Sequence, residues 1–245
     1  MKFEEVRDLI AGVPYTSAER GREIYEHVLT ESPKKCLELG FAHGVSLCYV
    51  AAALDELGEG HIDGVDLMGV PRDPSAEQLL ERCGLEKYVT LHREKSSYTW
   101  FLQKKISEKV GNPSASQDYD FCFIDGPKNW TIDGAAFFMV DMLIAENGVI
   151  VFDDYSYAYG ESSGQTDGVN HRQLGEDELR IPHVKLIFDL LVQQHPAYGD
   201  YSVVNEQWAW ARKTGGLHKT VQIIEKIGIR EKRLRSARKS LKRGT

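Results

Sequence analysis

Apolar residues along this chain alternate between two patterns, short continuous runs and longer stretches with helical spacing. Ser17 to Thr30 places Ile24, Val28 and Leu29 on one face behind Ser17, a residue suited to capping, and predicts a helix. Lys35 to Leu39 is a short apolar run that predicts a strand. Gly44 to Leu57, rich in Val, Leu and Ala, predicts a helix. The alternation continues with a strand over 62–66, a helix over 76–83 stopped by Gly84, a strand over 89–92 and a helix over 100–110. Residues 121–124 and 149–152 are further strands, separated by a helix over 135–144. A helix over 184–194 precedes two more strand-like runs, 201–204 and 207–211, joined by a tight turn near Asn205–Glu206.

Five strand-then-helix alternations predict an α/β fold: a doubly wound, Rossmann-like, mostly parallel sheet with helices on both faces. The last two runs add an antiparallel C-terminal hairpin at its edge. Ligands in such sheets bind beyond the C-terminal ends of the strands, so the residues that follow each strand carry the functional information.

Composition changes this picture little. Of 245 residues, 42% are hydrophobic and 27% charged, as expected of a globular core rather than a disordered chain. Residues 1–216 are expected to form one domain. No apolar run approaches a membrane span, and the charged start MKFEEVRDLI has no apolar signal core, so a cytoplasmic protein is expected. Cys36, Cys48, Cys83 and Cys122 are widely spaced and form no CxxC pair, which predicts free thiols.

Charge is uneven. From Arg212 onward there are twelve Lys or Arg and two Asp or Glu, so the preceding 211 residues carry −17 of a total of −7. Val221, Ile224, Ile227 and Leu234 have loosely helical spacing, so residues 217–245 are expected to form a basic helical tail. Such a tail can pack on the acidic body or on a second subunit of a homo-oligomer, and an anionic membrane surface is the sharper alternative. The acidic body argues against a nucleic-acid partner.

The chemistry-bearing residues follow the strands. Glu38 interrupts the first apolar run, and Gly40-Phe41-Ala42-His43-Gly44-Val45-Ser46 comes after it. This is neither GxGxxG nor a P-loop, since no lysine follows for a phosphate. Asp66 ends the second strand, where a carboxylate can accept from the ribose hydroxyls of an adenosine. The fourth strand ends in Asp125-Gly-Pro-Lys128 and the fifth in Asp153-Asp154. Neighbouring parallel strands would bring these three carboxylates to one edge of the sheet, where mutual repulsion favours a hard divalent cation, Mg²⁺ or Mn²⁺. On the plainer reading, Asp153 and Asp154 cap their loop and Asp125 contacts a cofactor alone.

The run LELGFAHGVS, followed by FIDGPKNW and GVIVFDDY, resembles the class I S-adenosylmethionine (SAM) methyltransferases. The likeness is to their metal-dependent O-methyltransferase branch, nearest the macrocin-type sugar enzymes and more distantly catechol O-methyltransferase. It spans roughly residues 15 to 155. The resemblance implies S-adenosyl-L-methionine as cofactor. It assigns Glu38, Gly40, Phe41, Gly44 and Ser46 to the cofactor loop, Ser96 to the adenine, and Asp66 and Asp125 to the same site. It assigns Asp125, Asp153 and Asp154 to Mg²⁺. Lys128, three residues after the first metal aspartate, stands where the catechol enzymes have a catalytic lysine. Many macrocin-type members have a histidine in the corresponding segment, where this chain has Pro127-Lys128.

His171 is the alternative base. It lies in a long loop, 156–181, which with Tyr157 and Tyr159 is expected to form a lid or acceptor pocket. The acceptor implied is a small hydroxylated molecule, a sugar or a natural-product intermediate. An N-methyltransferase of the same fold and a non-catalytic SAM- or nucleoside-binding module are the alternatives. A carboxylate at Glu38 is tolerable where the strand emerges at the cofactor, if glycine-turn amides or cofactor groups satisfy it.

Overall fold

The computed structural model describes residues 1–113, 118–161, 174–215, 220–225 and 228–233. Five parallel strands alternate with helices as the periodicity predicts: β1 (Lys35–Leu39), β2 (His61–Leu67), β3 (Val89–Glu94), β4 (Tyr119–Ile124) and β5 (Ile144–Phe152). The helices are α1 (Phe3–Leu9), α2 (Ala18–Glu31), α3 (Val45–Leu57), α4 (Ala76–Cys83), α5 (Tyr98–Gly111) and α6 (Trp130–Asp141), then short α7 (Glu176–Arg180) and α8 (His183–Ile187). A π-helical turn over Phe188–Val192 continues α8. Strands β6 (Tyr198–Val204), β7 (Trp208–Lys213), β8 (Thr220–Glu225) and β9 (Gly228–Arg233) complete a nine-stranded sheet of order β3-β2-β1-β4-β5-β7-β6-β8-β9.

Side chains alternate across this sheet and divide the core into two layers. Phe121, Phe123, Val149 and Val151 face α2 and α3, together with Trp208. Cys122, Ile124, Ile150 and Phe152 face the opposite way, against Phe137 of α6 and Phe188. All four cysteines are buried free thiols, as their spacing suggests.

Three differences from the sequence reading have physical causes. Helix α6 starts at Trp130 rather than 135, because the Asn129 side chain accepts hydrogen bonds from the Thr131 and Ile132 amides. The β6–β7 turn forms where expected: Asn205 and Glu206 both have positive φ (51° and 54°), and Gln207 N–H donates to the Val204 carbonyl at 2.9 Å. The hairpin is antiparallel as expected, with β7 against β5, but it is not the sheet edge, because β8 and β9 continue the sheet beyond β6.

The third difference is the basic tail. It is not helical over 220–225 or 228–233. Strand β8 pairs in parallel with β6, and β9 pairs antiparallel with β8. The β-branched run Thr220-Val221-Gln222-Ile223-Ile224 buries Val221 and packs Ile223 against the core, a period-2 pattern that outcompetes the loose helical one. Residues 234–245 lie outside the described residues. In the loop expected over 156–181, α7 and a 3₁₀ turn at Tyr159–Glu161 are found; His171 lies outside the described residues.

Candidate active site

At the C-terminal edge of β1, β2 and β4 is a cavity of about 210 Å³. Its wall brings together Gly40, Phe41, Ser46, Asp66, Ser96, Asp125 and Lys128 from four separate points in the chain. Gly40, at φ 93°, lies flush against the next strand end: a Cβ there would stand 2.2 Å from the Asp125 carbonyl oxygen. Only glycine allows this backbone approach. Gly44 serves a different contact, since a Cβ would press on Ala76 of α4 at 2.8 Å.

Asp66 turns its carboxylate toward the glycine loop, accepting from Ala42 N–H at 2.7 Å and Leu67 N–H at 2.6 Å. Each oxygen keeps a lone pair for a further donor. Glu38 is fully buried one layer behind the wall, and Ser46 Oγ–H donates to its Oε1 at 2.5 Å. Its other oxygen has no protein partner, so the glycine-turn amides do not satisfy it. Burial pushes the Glu38 carboxyl well above the ordinary range, and the charges of Asp125, Asp66 and Asp153 add to the rise against the Ser46 bond.

Asp125, Asp153 and Asp154 meet beside this cavity, each offering a carboxylate oxygen within 4.8 Å of the others. The parallel β4–β5 pairing, with Ile124 opposite Phe152, puts the residues after both strands side by side. Lys128, at φ 59°, folds back so that its Nζ lies 2.9 Å from Asp125 and 3.3 Å from Asp154. Burial raises the Asp125 pKa to about 8; Lys128 opposes the shift, and Asp153 and Asp154 add to it. Burial also raises Asp153, reinforced by Asp154. Burial lowers Lys128, but Asp125 and Asp154 outweigh it and hold the ammonium above its ordinary pKa. Lys128, with Arg20 of α2 at 3.9 Å from Asp153, supplies less positive charge than the three acidic side chains carry when all are ionised. An all-oxygen anionic donor set with excess charge fits a hard divalent cation.

A family model described as a methyltransferase domain matches residues 37–155, the segment from β1 to the loop after β5. That segment, 119 of the 245 residues, carries the likeness to a methyltransferase domain. No curated protein matches it by sequence. Among solved structures, it resembles the O-methyltransferase TomG of Streptomyces achromogenes, involved in tomaymycin synthesis and bound to SAM. The TM-score is 0.59 at 17% identity, over 87% of this chain and 89% of that one. An O-methyltransferase of Bacillus cereus in complex with SAH gives 0.58 at 19% identity, covering 86% and 90%. The SAH-bound methyltransferase PaMTH1 of Podospora anserina gives 0.58 at 16%, covering 86% of each chain. The fold is that of SAM-dependent O-methyltransferases.

Several residues of this site escape sequence reasoning. Gln207 and Trp208 reach Asp153 from the β6–β7 hairpin, each at 2.6 Å. Trp208 and Trp210, two residues apart on β7, share one sheet face. Arg20 of α2 stands 3.9 Å from Asp153. Asp133 secures the turn after Asp125: it accepts from Asn129 N–H at 2.7 Å and from the Tyr98 hydroxyl. Tyr159 donates to the Pro127 carbonyl at 2.5 Å, tying the loop after β5 to the Lys128 turn. A polar residue packed against a strand-end loop is the only sequence signal for these, and many such residues do nothing of the kind.

Proposed function

We propose that this protein is a methyltransferase that uses SAM and a divalent cation, Mg²⁺ or Mn²⁺, to methylate a hydroxyl of a small molecule. The observation that carries the reading is the convergence of Asp125, Asp153 and Asp154 within 4.8 Å beside the cavity. Asp125 and Lys128 belong to both the cavity wall and the carboxylate cluster, so donor and acceptor would share one boundary. The glycine loop, Asp66 and Ser96 are assigned to the cofactor. The complexes of TomG with SAM and of the Bacillus cereus enzyme with SAH support that assignment.

A divalent cation held by the three carboxylates supplies Lewis acidity, lowering the pKa of a hydroxyl that it binds. The protein's own groups then do the rest. Lys128 is the proposed general base. Its ammonium is held charged by Asp125 and Asp154, and it can release a proton only when those carboxylates are otherwise neutralised. The three aspartates position the acceptor oxygen, and orientation of this kind is a large part of a methyl transfer's barrier. His171 remains the alternative base. Among the described residues no helix is long and apolar enough to cross a membrane.

The test is methyl transfer from labelled SAM to a panel of vicinal diols and catechols, before and after chelation. Loss of turnover with EDTA and recovery with Mg²⁺ or Mn²⁺ is expected. Undiminished turnover under chelation overturns the metal reading and favours an amine acceptor held by the carboxylates.

A further inference from the structure

Asp153 and Asp154 are adjacent carboxylates on a tight turn, with Asp154 in left-handed backbone at φ 54°. Two such charges repel, and at rest they would swing apart. One side chain bridges the pair. Gln207 Nε2 lies 2.6 Å from Asp153 Oδ1 and 2.6 Å from Asp154 Oδ1. Both facing atoms are carboxylate oxygens, so the amide must present its NH₂ end, and each of its two hydrogens serves one carboxylate.

The amide is itself well held. The β6–β7 turn fixes Gln207 through its own N–H to the Val204 carbonyl at 2.9 Å. Its carbonyl accepts from Tyr155 N–H at 2.8 Å, so hairpin and acidic loop are tied on both sides. Trp208 Nε1–H and Asp154 N–H complete the coordination of Asp153 Oδ1, at 2.6 and 2.8 Å. That oxygen therefore takes three donors. Among the described residues, Asp153 Oδ2 has Arg20 at 3.9 Å as its one ion-pair partner, and it is the oxygen left to face a cation.

We propose that Gln207 is a positioning residue of the carboxylate centre. Its amide pairs Asp153 with Asp154, turns Asp153 into a one-oxygen ligand, and thereby sets the affinity for a divalent cation. This rests on the metal reading above. Outer-shell donors of this type are worth about 10- to 100-fold in metal affinity in other proteins.

The experiment measures Mn²⁺ binding to the full chain by electron paramagnetic resonance, with SAM affinity measured separately by calorimetry without metal. Gln207→Leu removes the donors. Gln207→Asn is one methylene too short to span both carboxylates, and it keeps the assay informative if the leucine variant does not fold. Expected is a loss of Mn²⁺ affinity of about tenfold or more in each folded variant, with SAM affinity within about twofold of the parent. Mn²⁺ affinity equal to the parent's overturns the role of Gln207 while the metal reading stands. An equal fall in SAM and Mn²⁺ affinity also overturns it, since that marks general disruption. A parent chain that binds no Mn²⁺ overturns the metal reading, and the role of Gln207 with it.

Discussion

Asp133 offers a quantitative test of how the Lys128 turn is built. It is 1% exposed, and burial pushes its carboxyl from 3.8 up to about 7 against the opposing hydrogen bonds from the Asn129 and Lys128 backbone. A carboxyl protonated more readily in the folded chain than in the unfolded one stabilises fully below about pH 4. That contribution is lost as pH rises through about 7. Between pH 5 and pH 8 the loss integrates to about 2–3 kcal/mol, at about 1.36 kcal/mol per pKa unit. Asp133→Asn keeps an acceptor for Asn129 N–H and an amide partner for the Tyr98 hydroxyl, but does not titrate. Urea unfolding of parent and variant at pH 5, 6, 7 and 8 isolates the effect as a difference. The variant should gain on the parent steadily with pH, by about that amount in total. A difference that is flat across the range refutes the claim that Asp133 is held protonated by burial.

Three further outcomes follow from the site. Asp153→Asn should lose metal-stimulated turnover by at least about a hundredfold while still binding SAM, measured by calorimetry; normal turnover would remove Asp153 from the centre. Lys128→Met should lower turnover by about 10² to 10⁴ and erase the limb of the pH–rate profile that a base contributes; an unchanged profile transfers the role elsewhere. Gly40→Ala forces a Cβ to 2.2 Å from the Asp125 carbonyl and strains a φ of 93°. It should destabilise by about 2–4 kcal/mol in chemical denaturation and weaken SAM binding, whereas a variant as stable as the parent would show the loop free to move.

The part of this architecture that lies in local pattern was legible. Strands 35–39, 62–66 and 121–124 lie within or match β1, β2 and β4, because continuous apolar runs bounded by glycine and aspartate have few other uses. The convergence of Asp125 with Asp153 and Asp154 was legible for a topological reason. Parallel strands end on one side, so residues that follow adjacent strands must meet. What escaped depends on sheet order. Gln207 and Trp208 reach the acidic pair only because β7, and not β6, lies against β5, and no local pattern in the hairpin says which strand goes inward. Helix α1 was missed because it is seven residues long, its stability coming from Phe3 and Val6 in the core rather than from periodicity. The tail was misread because Val, Ile and Thr at mixed spacing satisfy both periods, and hydrogen bonding to β6 decides between them.

That last pairing bears on how the protein can be handled. A version shortened at residue 216 would leave β6 with a bare rail of amides and carbonyls where β8 now docks, and would uncover part of the core beneath Val221. Such a rail invites a neighbouring molecule to zip onto it. With β8 in place, Tyr201 to Val204 of β6 are paired with Val221 to Ile224. Strand β8 therefore doubles as a cover for the open side of β6, and its removal should raise self-association, read by light scattering.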